Sequence, residues 1–318
     1  MFTTLGTTGL VASRIGLGLA ALGRPGYINL GHGSDLGDRT DVESMEHVAH
    51  TVLDAAYAGG VRYFDAARSY GKAEAFLASW LEQRGLGPSE VTVGSKWGYT
   101  YTAGWRIDAP VHEVKDLSAT HLRRQLAETK GLLGPRLRLY QIHSATLDSG
   151  VLDDPRVLEE LARQRASGLA IGFTVTGPRQ SETIRRALEL GGFDTVQATW
   201  NLLERAAESA LAAAHAAGVG VIVKEALANG RLAAPGSVDA LREGARSLGG
   251  TPDTLALAAA LAQPWADVVL SGATTVVQLQ SNLAALALEP NPEMIEQLDA
   301  IREDPVTYWQ TRAALRWN

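Results

Sequence analysis

Apolar positions along this chain fall into short runs of three to six residues, each followed by a longer stretch with helical spacing. Ile15–Gly18, Val61–Asp65, Val91–Lys96, Arg138–Ile142, Leu169–Phe173, Thr195–Thr199, Val219–Val223 and Asp267–Leu270 read as strands, because they are rich in β-branched and aromatic residues and stop at polar or small ones. Between them, Glu43–Ala58 carries Met45, Val48, Ala49, Val52 and Ala56 on one helical face and stops at Gly59-Gly60. Further helices are predicted at about 74–80, 117–131, 154–167, from Pro178, 205–217, from Thr251-Pro252 and at 294–301, with a short one at 238–248 in the long connection 224–250. The strand ends fall near 18, 65, 96, 143, 173, 199, 224 and 271, and these units account for the length as one domain over 1–318. A doubly wound sheet seldom needs eight regular units, so the pattern favours a (β/α)8 barrel.

Polar residues at three of these strand ends carry the candidate chemistry. Asp65 closes one strand, Tyr70 follows in the turn, Lys96 ends the next strand and His143 the one after. Singly, such residues support a turn, face solvent or bond within a core. If the strands are parallel, their C-terminal ends share one face and the four side chains converge there. A phenol with a pKa near 10 is a reluctant proton donor; an ammonium beside it favours the phenolate, and a carboxylate keeps that ammonium charged and aimed. Such a set predicts that Lys96 lowers the Tyr70 pKa, while a neutral His143 holds a carbonyl oxygen.

Phe64-Asp65-x4-Tyr70-Gly71, followed by Lys96 and His143 at the next two strand ends, resembles the aldo-keto reductases, and the likeness runs from Leu5 to about Leu286. It implies a (β/α)8 TIM barrel, α/β in class, that reduces aldehydes or ketones with NADP(H) or NAD(H). The segments Phe2–Leu5 and Leu10–Arg14 would form a β-hairpin capping the bottom of the barrel, and a helical tail would follow its last unit. Thr174 and Val175 fall at the Ser and Asn positions that hold the nicotinamide carboxamide, and Gln197 at the Gln position. Lys224 stands where an aromatic residue usually stacks on the nicotinamide ring, and Ala226 at a Pro position. Leu227 and Asn229-Gly230-Arg231 fit a loop closing over the pyrophosphate. Gly272, Thr274 and Gln278 occupy places where cations hold the 2′-phosphate of NADPH, and Asn282 keeps the adenine-side pattern. No Lys or Arg occurs from Trp265 to Glu289, so the resemblance implies weak discrimination between the two cofactors, with the N-terminus of the last barrel helix and Thr274-Thr275 still offering a phosphate site.

Tyr27, Asn29 and His32 in the loop after the first strand either line a substrate pocket or form a solvated connection. Trp97, Tyr99, Tyr101 and Trp105, after the third strand, either wall an apolar pocket or pack on one another. Trp309 in the tail is a candidate wall or a core residue. The tract Gly16-Leu-Gly18-Leu-Ala-Ala21 superficially matches a dinucleotide fingerprint, but the polar loop 23–41 follows where a helix should open, and its acids Asp35 and Asp38 sit inside that loop.

Composition narrows the partners. With 29 Lys and Arg against 35 Asp and Glu, the formal charge of −6 and the absence of a basic tract argue against nucleic acid, and favour a small-molecule carbonyl substrate. There are no cysteines and no zinc-ligand spacing, so no metal is expected. The start lacks a basic segment followed by an apolar one, and no apolar run is long enough to span a membrane, so the expected location is cytoplasmic. The competing reading is a cofactor-binding sensor or partner-binding subunit with little turnover, since the same fold and tetrad also occur in channel-associated sensor subunits.

Overall fold

The computed structural model describes residues 2–233, 236 and 238–318. The chain opens with an antiparallel ribbon, β1 (Phe2–Thr4) and β2 (Val11–Ser13), in which Phe2 lies opposite Ser13. After β3 (Ile15–Gly18) comes a loop containing a one-turn helix, α1 (His32–Leu36), and then α2 (Val42–Ala58). That helix starts where the Asp41 carboxylate accepts from the Ser44 N–H, and it buries Met45, Ala49, Val52, Leu53 and Ala56. The one-turn α1 lies inside the stretch 23–41 expected as a polar loop, and its residues carry no run of helix-spaced apolar positions.

The next units are β4 (Tyr63–Asp65), α3 (Ala73–Gln83) and β5 (Thr92–Trp97). The connection after β5 is a second antiparallel ribbon, β6 (Tyr99–Tyr101) with β7 (Glu113–Lys115), rather than an irregular aromatic loop. Then follow α4 (Ala119–Leu133), β8 (Leu137–Ala145), α5 (Pro155–Ala166), β9 (Ala170–Val175), α6 (Gln180–Leu190), β10 (Thr195–Thr199), α7 (Glu208–Ala216) and β11 (Gly220–Lys224). The long connection holds α8 (Asp239–Ser247); α9 (Pro252–Leu261), β12 (Val268–Ser271) and α10 (Val276–Ala284) complete the last unit. The tail contributes α11 (Pro292–Gln297) and α12 (Pro305–Ala313); α12 begins at a capping Asp304 followed by Pro.

The eight strands close into a parallel barrel in the order β3, β4, β5, β8, β9, β10, β11, β12. This is the (β/α)8 TIM barrel that the alternation implied. Its outer face packs Val93, Ile142, Phe173, Val196, Val221 and Val269 against the helices. Inside, Tyr63, Leu139, Ile222 and Val268 meet Leu5, Leu10 and Ala12 of the first ribbon, so the hairpin plugs the N-terminal mouth. Gly94 makes room for the inward-facing Tyr63 ring above that plug: a Cβ there would meet the Tyr63 hydroxyl at 2.7 Å. The N-terminal mouth being filled, the C-terminal mouth is left for a cavity. No described helix is long and apolar enough to cross a membrane.

Candidate active site

Asp65, at the end of β4, and Lys96, near the end of β5, form an ion pair between side chains that are almost wholly buried. Lys96 also donates to the Ala66 carbonyl at 2.9 Å. The second Asp65 oxygen accepts from the Tyr63 hydroxyl at 3.1 Å, from Gln197 Nε2 at 3.1 Å and from Gln141 Nε2 at 3.4 Å. A buried carboxylate costs several kcal/mol unless its lone pairs are satisfied, and here they are. Lys96 Nζ lies 4.9 Å from the centre of the Tyr70 ring, and that ring stands edge-on to the His143 imidazole with centroids 5.5 Å apart. Tyr99 also meets the His143 ring edge-on, with centroids 4.9 Å apart.

Backbone irregularities aim these groups. The β8–β9 register shifts between Ile142 and Ala145, and Ser144 adopts φ 55°, a left-handed conformation next to His143. The Ser144 N–H then donates to Thr174 Oγ1 at 2.7 Å. Glu225, following Lys224 at the end of β11, is likewise left-handed, at φ 56°.

Burial sets the proton affinities. Foremost burial, and then the Asp65 carboxylate, push the Tyr70 phenol well above its ordinary value, with Arg24 pulling the other way. The expectation that the neighbouring ammonium would leave a lowered phenol pKa is therefore corrected: the Lys96 charge is engaged by Asp65, and desolvation of the phenolate dominates. Burial first, then Lys96, Lys224 and Arg24, hold His143 well below the usual imidazole range, so it is neutral. Lys224 is lowered by burial to about 8. Burial opposes ionisation of Glu225, but Arg312 and Lys224 outweigh it and bring the carboxyl to about 2.

A cavity of about 440 Å³ opens at this mouth of the barrel. Of the residues singled out in the sequence, Asp65, Tyr70, His143, Tyr27, Asn29 and Tyr99 line it. Thr174, Gln197, Lys224, Leu227, Asn229 and Gly230 do so as well, and so do Gly272, Thr274, Gln278 and Asn282. Lys96 lies beneath Asp65 rather than on the wall. Trp97, Trp105 and Trp309 are not on the wall. Because β5 continues through Trp97, strand alternation that turns Lys96 inward turns Trp97 outward into the helix layer, where it is fully buried. Trp105 packs against Phe76 and donates to the Thr40 carbonyl at 2.7 Å. Trp309 sits in a satellite core with Leu202, Leu241 and Tyr308. His32, Tyr101, Val175 and Arg231 also stay off the wall; Val175 is buried outward, and Arg231 forks onto Glu303.

The structure adds residues that the sequence did not single out. Arg24 is buried with its guanidinium 5.2 Å from the Tyr70 ring centre and 4.8 Å from that of Trp317, and it pairs with Glu113 at 2.5 Å. Arg312 donates from Nε to Glu225 at 2.8 Å. Trp317, stacked on His112 at 3.8 Å, forms the wall expected of Trp309. Arg24 stands in an apolar Leu22-Gly23-Arg24-Pro25 setting, and Glu225 beside Lys224 at a strand end; a charge in such a place was the available signal.

The residues fit a dinucleotide. Asn229 is buried on the cavity wall with its Oδ1 unpartnered, while its amide donates to Asn29 at 3.2 Å, so the loops after β3 and β11 meet across the groove. Thr275 caps α10 by accepting from the Gln278 N–H at 3.2 Å, leaving the other free N–H groups of that helix start beside Thr274. Among the described residues, no group of three or more His, Cys, Asp or Glu is placed to hold a metal ion.

A parallel barrel with a buried Asp–Lys pair, a Tyr and a neutral His at its C-terminal mouth defines a class of barrel oxidoreductases. The sequence model of the Aldo/keto reductase family matches residues 14–303, and the chain belongs to that family, whose members are oxidoreductases using NAD(P)H. It is 25% identical to the oxidoreductase YrpG of Bacillus subtilis over 96% of each chain. It is 27% identical to the NADH-specific methylglyoxal reductase of Escherichia coli, over 89% of this chain and 92% of that one. The solved structure of the aldo-keto reductase AKR11C1 from Bacillus halodurans superposes with a TM-score of 0.74 at 20% identity, over 96% of this chain and 97% of that one, which bears on the fold alone.

Proposed function

We propose that this chain reduces small aldehydes or ketones to alcohols, with Tyr70 as the proton donor. The observation that carries the reading is the buried Asp65–Lys96 pair set 4.9 Å from the centre of the Tyr70 ring, with His143 edge-on to that ring in one cavity. When bound, the nicotinamide cofactor supplies the hydride. Neutral His143 donates a hydrogen bond to the carbonyl oxygen and orients it. Tyr70, kept protonated by its raised pKa, hands its phenolic proton to the same oxygen as negative charge develops there. The phenolate is left near two cations, Lys96 and Arg24, and Asp65 holds the first of them in place. On this reading Thr174 and Gln197, both on the cavity wall, would hold the carboxamide, and the loops joined by the Asn29–Asn229 contact would close over the pyrophosphate.

The relative named for methylglyoxal reduction, together with a cavity wall bearing Arg24, Lys224 and Arg312, favours short, polar carbonyls, α-dicarbonyls and sugars among them. The test is oxidation of NADH and NADPH followed with methylglyoxal, short aldehydes and aldoses. Turnover of at least one of them, with kcat in the usual range of about 1–10³ s⁻¹, is expected. Tight cofactor binding with no carbonyl-dependent oxidation contradicts the proposal and favours a sensor.

A further inference from the structure

The loop after β3 brings a carboxylate to the cofactor groove. Asp35, on α1, accepts from Gln278 Nε2 at 2.7 Å and from Thr274 Oγ1 at 3.2 Å, both through Oδ2, and it lines the same cavity. Thr274 in turn donates its N–H to Gln278 Oε1 at 2.9 Å, so three side chains lock one another. The loop that carries Asp35 is anchored on both sides. Leu36 is buried, the Leu30 N–H donates to the Asn229 carbonyl at 3.0 Å, and the Asn318 side chain joins the Gly33 N–H at 3.1 Å to the Asn29 carbonyl at 2.9 Å. The carboxylate is thus held against Thr274 and Gln278, the positions that the likeness to the aldo-keto reductases assigns to the cations around a 2′-phosphate.

No basic residue offsets it locally. The segment 265–289 has no Lys or Arg, and a second acid, Asp253, lines the same part of the wall, accepting from Ser281 at 2.6 Å. Arg39, the cation nearest along the loop, gives its guanidinium to the carbonyls of Asp35 and Leu36 at 3.1 Å and does not line the cavity. The cations that do line it, Arg24, Lys224 and Arg312, pair with Glu113 and Glu225 beside the Tyr70 and His143 walls.

We propose that Asp35 makes this site select NADH over NADPH, by accepting a hydrogen bond from the 2′-hydroxyl of the adenosine ribose and repelling a 2′-phosphate. The inference rests on the cofactor reading above. A ribose hydroxyl is a donor that a fixed carboxylate satisfies with a charge-assisted bond, whereas a phosphate there brings negative charge against a carboxylate with no cation between them. The near-indifference expected from a neutral segment after β12 is replaced by a directed preference, because the deciding charge comes from residue 35.

The test is the dissociation constant of each cofactor by titration calorimetry, without substrate. The wild-type protein is expected to bind NADH at least about tenfold more tightly than NADPH, and Asp35→Asn to tighten NADPH by roughly 10- to 150-fold while leaving NADH within a few-fold. Raising salt from about 0.01 to 1 M should shrink the wild-type preference, as a charge effect must and a merely structural role would not; this arm needs no variant to fold. Equal affinities in the wild type, a preference for NADPH, or a variant that shifts both cofactors alike overturns the role of Asp35. Binding of neither cofactor by the wild type overturns the nicotinamide reading itself, and this inference with it.

Discussion

The ammonium nitrogen of Lys96 stands 4.9 Å from the centre of the Tyr70 ring while its charge is bonded to Asp65. The phenol therefore sits beside a cation that is already neutralised, in surroundings dry enough to raise its pKa. Such a group keeps its proton across the physiological range, and in the proposed reaction it parts with it only when an alkoxide forms against it. Lys96→Met leaves Asp65 buried without its counter-charge and removes the cation nearest the nascent phenolate. The expected result is a fall in kcat of roughly 10²–10⁴-fold, measured at saturating carbonyl.

Lys224 should give cofactor binding a pH dependence. Its folded pKa of about 8 lies below the ordinary 10.5, because burial disfavours the ammonium. The side chain is charged below about pH 8 and neutral above it, so the cavity loses a positive charge as pH rises through that value. The dissociation constant for the anionic dinucleotide should rise a few-fold between about pH 7 and 9, and the step should vanish in Lys224→Met. A wild-type profile that is flat over this window would remove Lys224 from the cofactor surface.

Glu225 should contribute acid-sensitive stability. Its carboxyl, at about 2 in the fold against 4.5 ordinarily, is depressed, so its contribution is complete above about pH 4.5 and lost as pH falls through about 2. The shift corresponds to about 3 kcal/mol. Glu225→Gln leaves the half-buried Arg312 guanidinium against a neutral amide and should cost about 1–3 kcal/mol at pH 7 in urea denaturation. The gap between variant and wild type should narrow as pH falls below 4.5.

The two tryptophans of the tail should separate by phenotype. Trp309 is packed among Leu202, Leu241 and Tyr308, and its truncation to Ala should cost about 3–5 kcal/mol. Trp317 stands on the cavity wall with Tyr27 edge-on at 6.2 Å, and Trp317→Ala should instead raise the KM for the carbonyl with little change in the melting temperature.

These cases show what the sequence made legible. Each barrel strand is a largely buried, mostly apolar run with a polar or small residue at or near its end, a local pattern, so the approximate strand ends and the convergence of Asp65, Tyr70 and His143 were readable directly. The helix at 305–313 has no place in the sequence-based expectation, which puts a tail helix only at 294–301, although Asp304-Pro305 is a cap and first-turn signal. Trp97 was misplaced by one residue of strand: once β5 extends to it, alternation fixes its direction. The partners of Asp35, Arg24 and Arg312 were beyond local reading, even where the charge itself, as at Arg24, was a local signal. Their partners Gln278, Glu113 and Glu225 lie 243, 89 and 87 residues away, and only the closed barrel brings them together.

The central claim is that Tyr70 delivers the proton, and it is tested most directly by Tyr70→Phe. With a carbonyl that the wild type reduces, kcat should fall by roughly 10²–10⁴-fold, while the dissociation constant for NADH, measured without substrate, stays within about a factor of two. A variant that turns over at near wild-type rate would contradict the account.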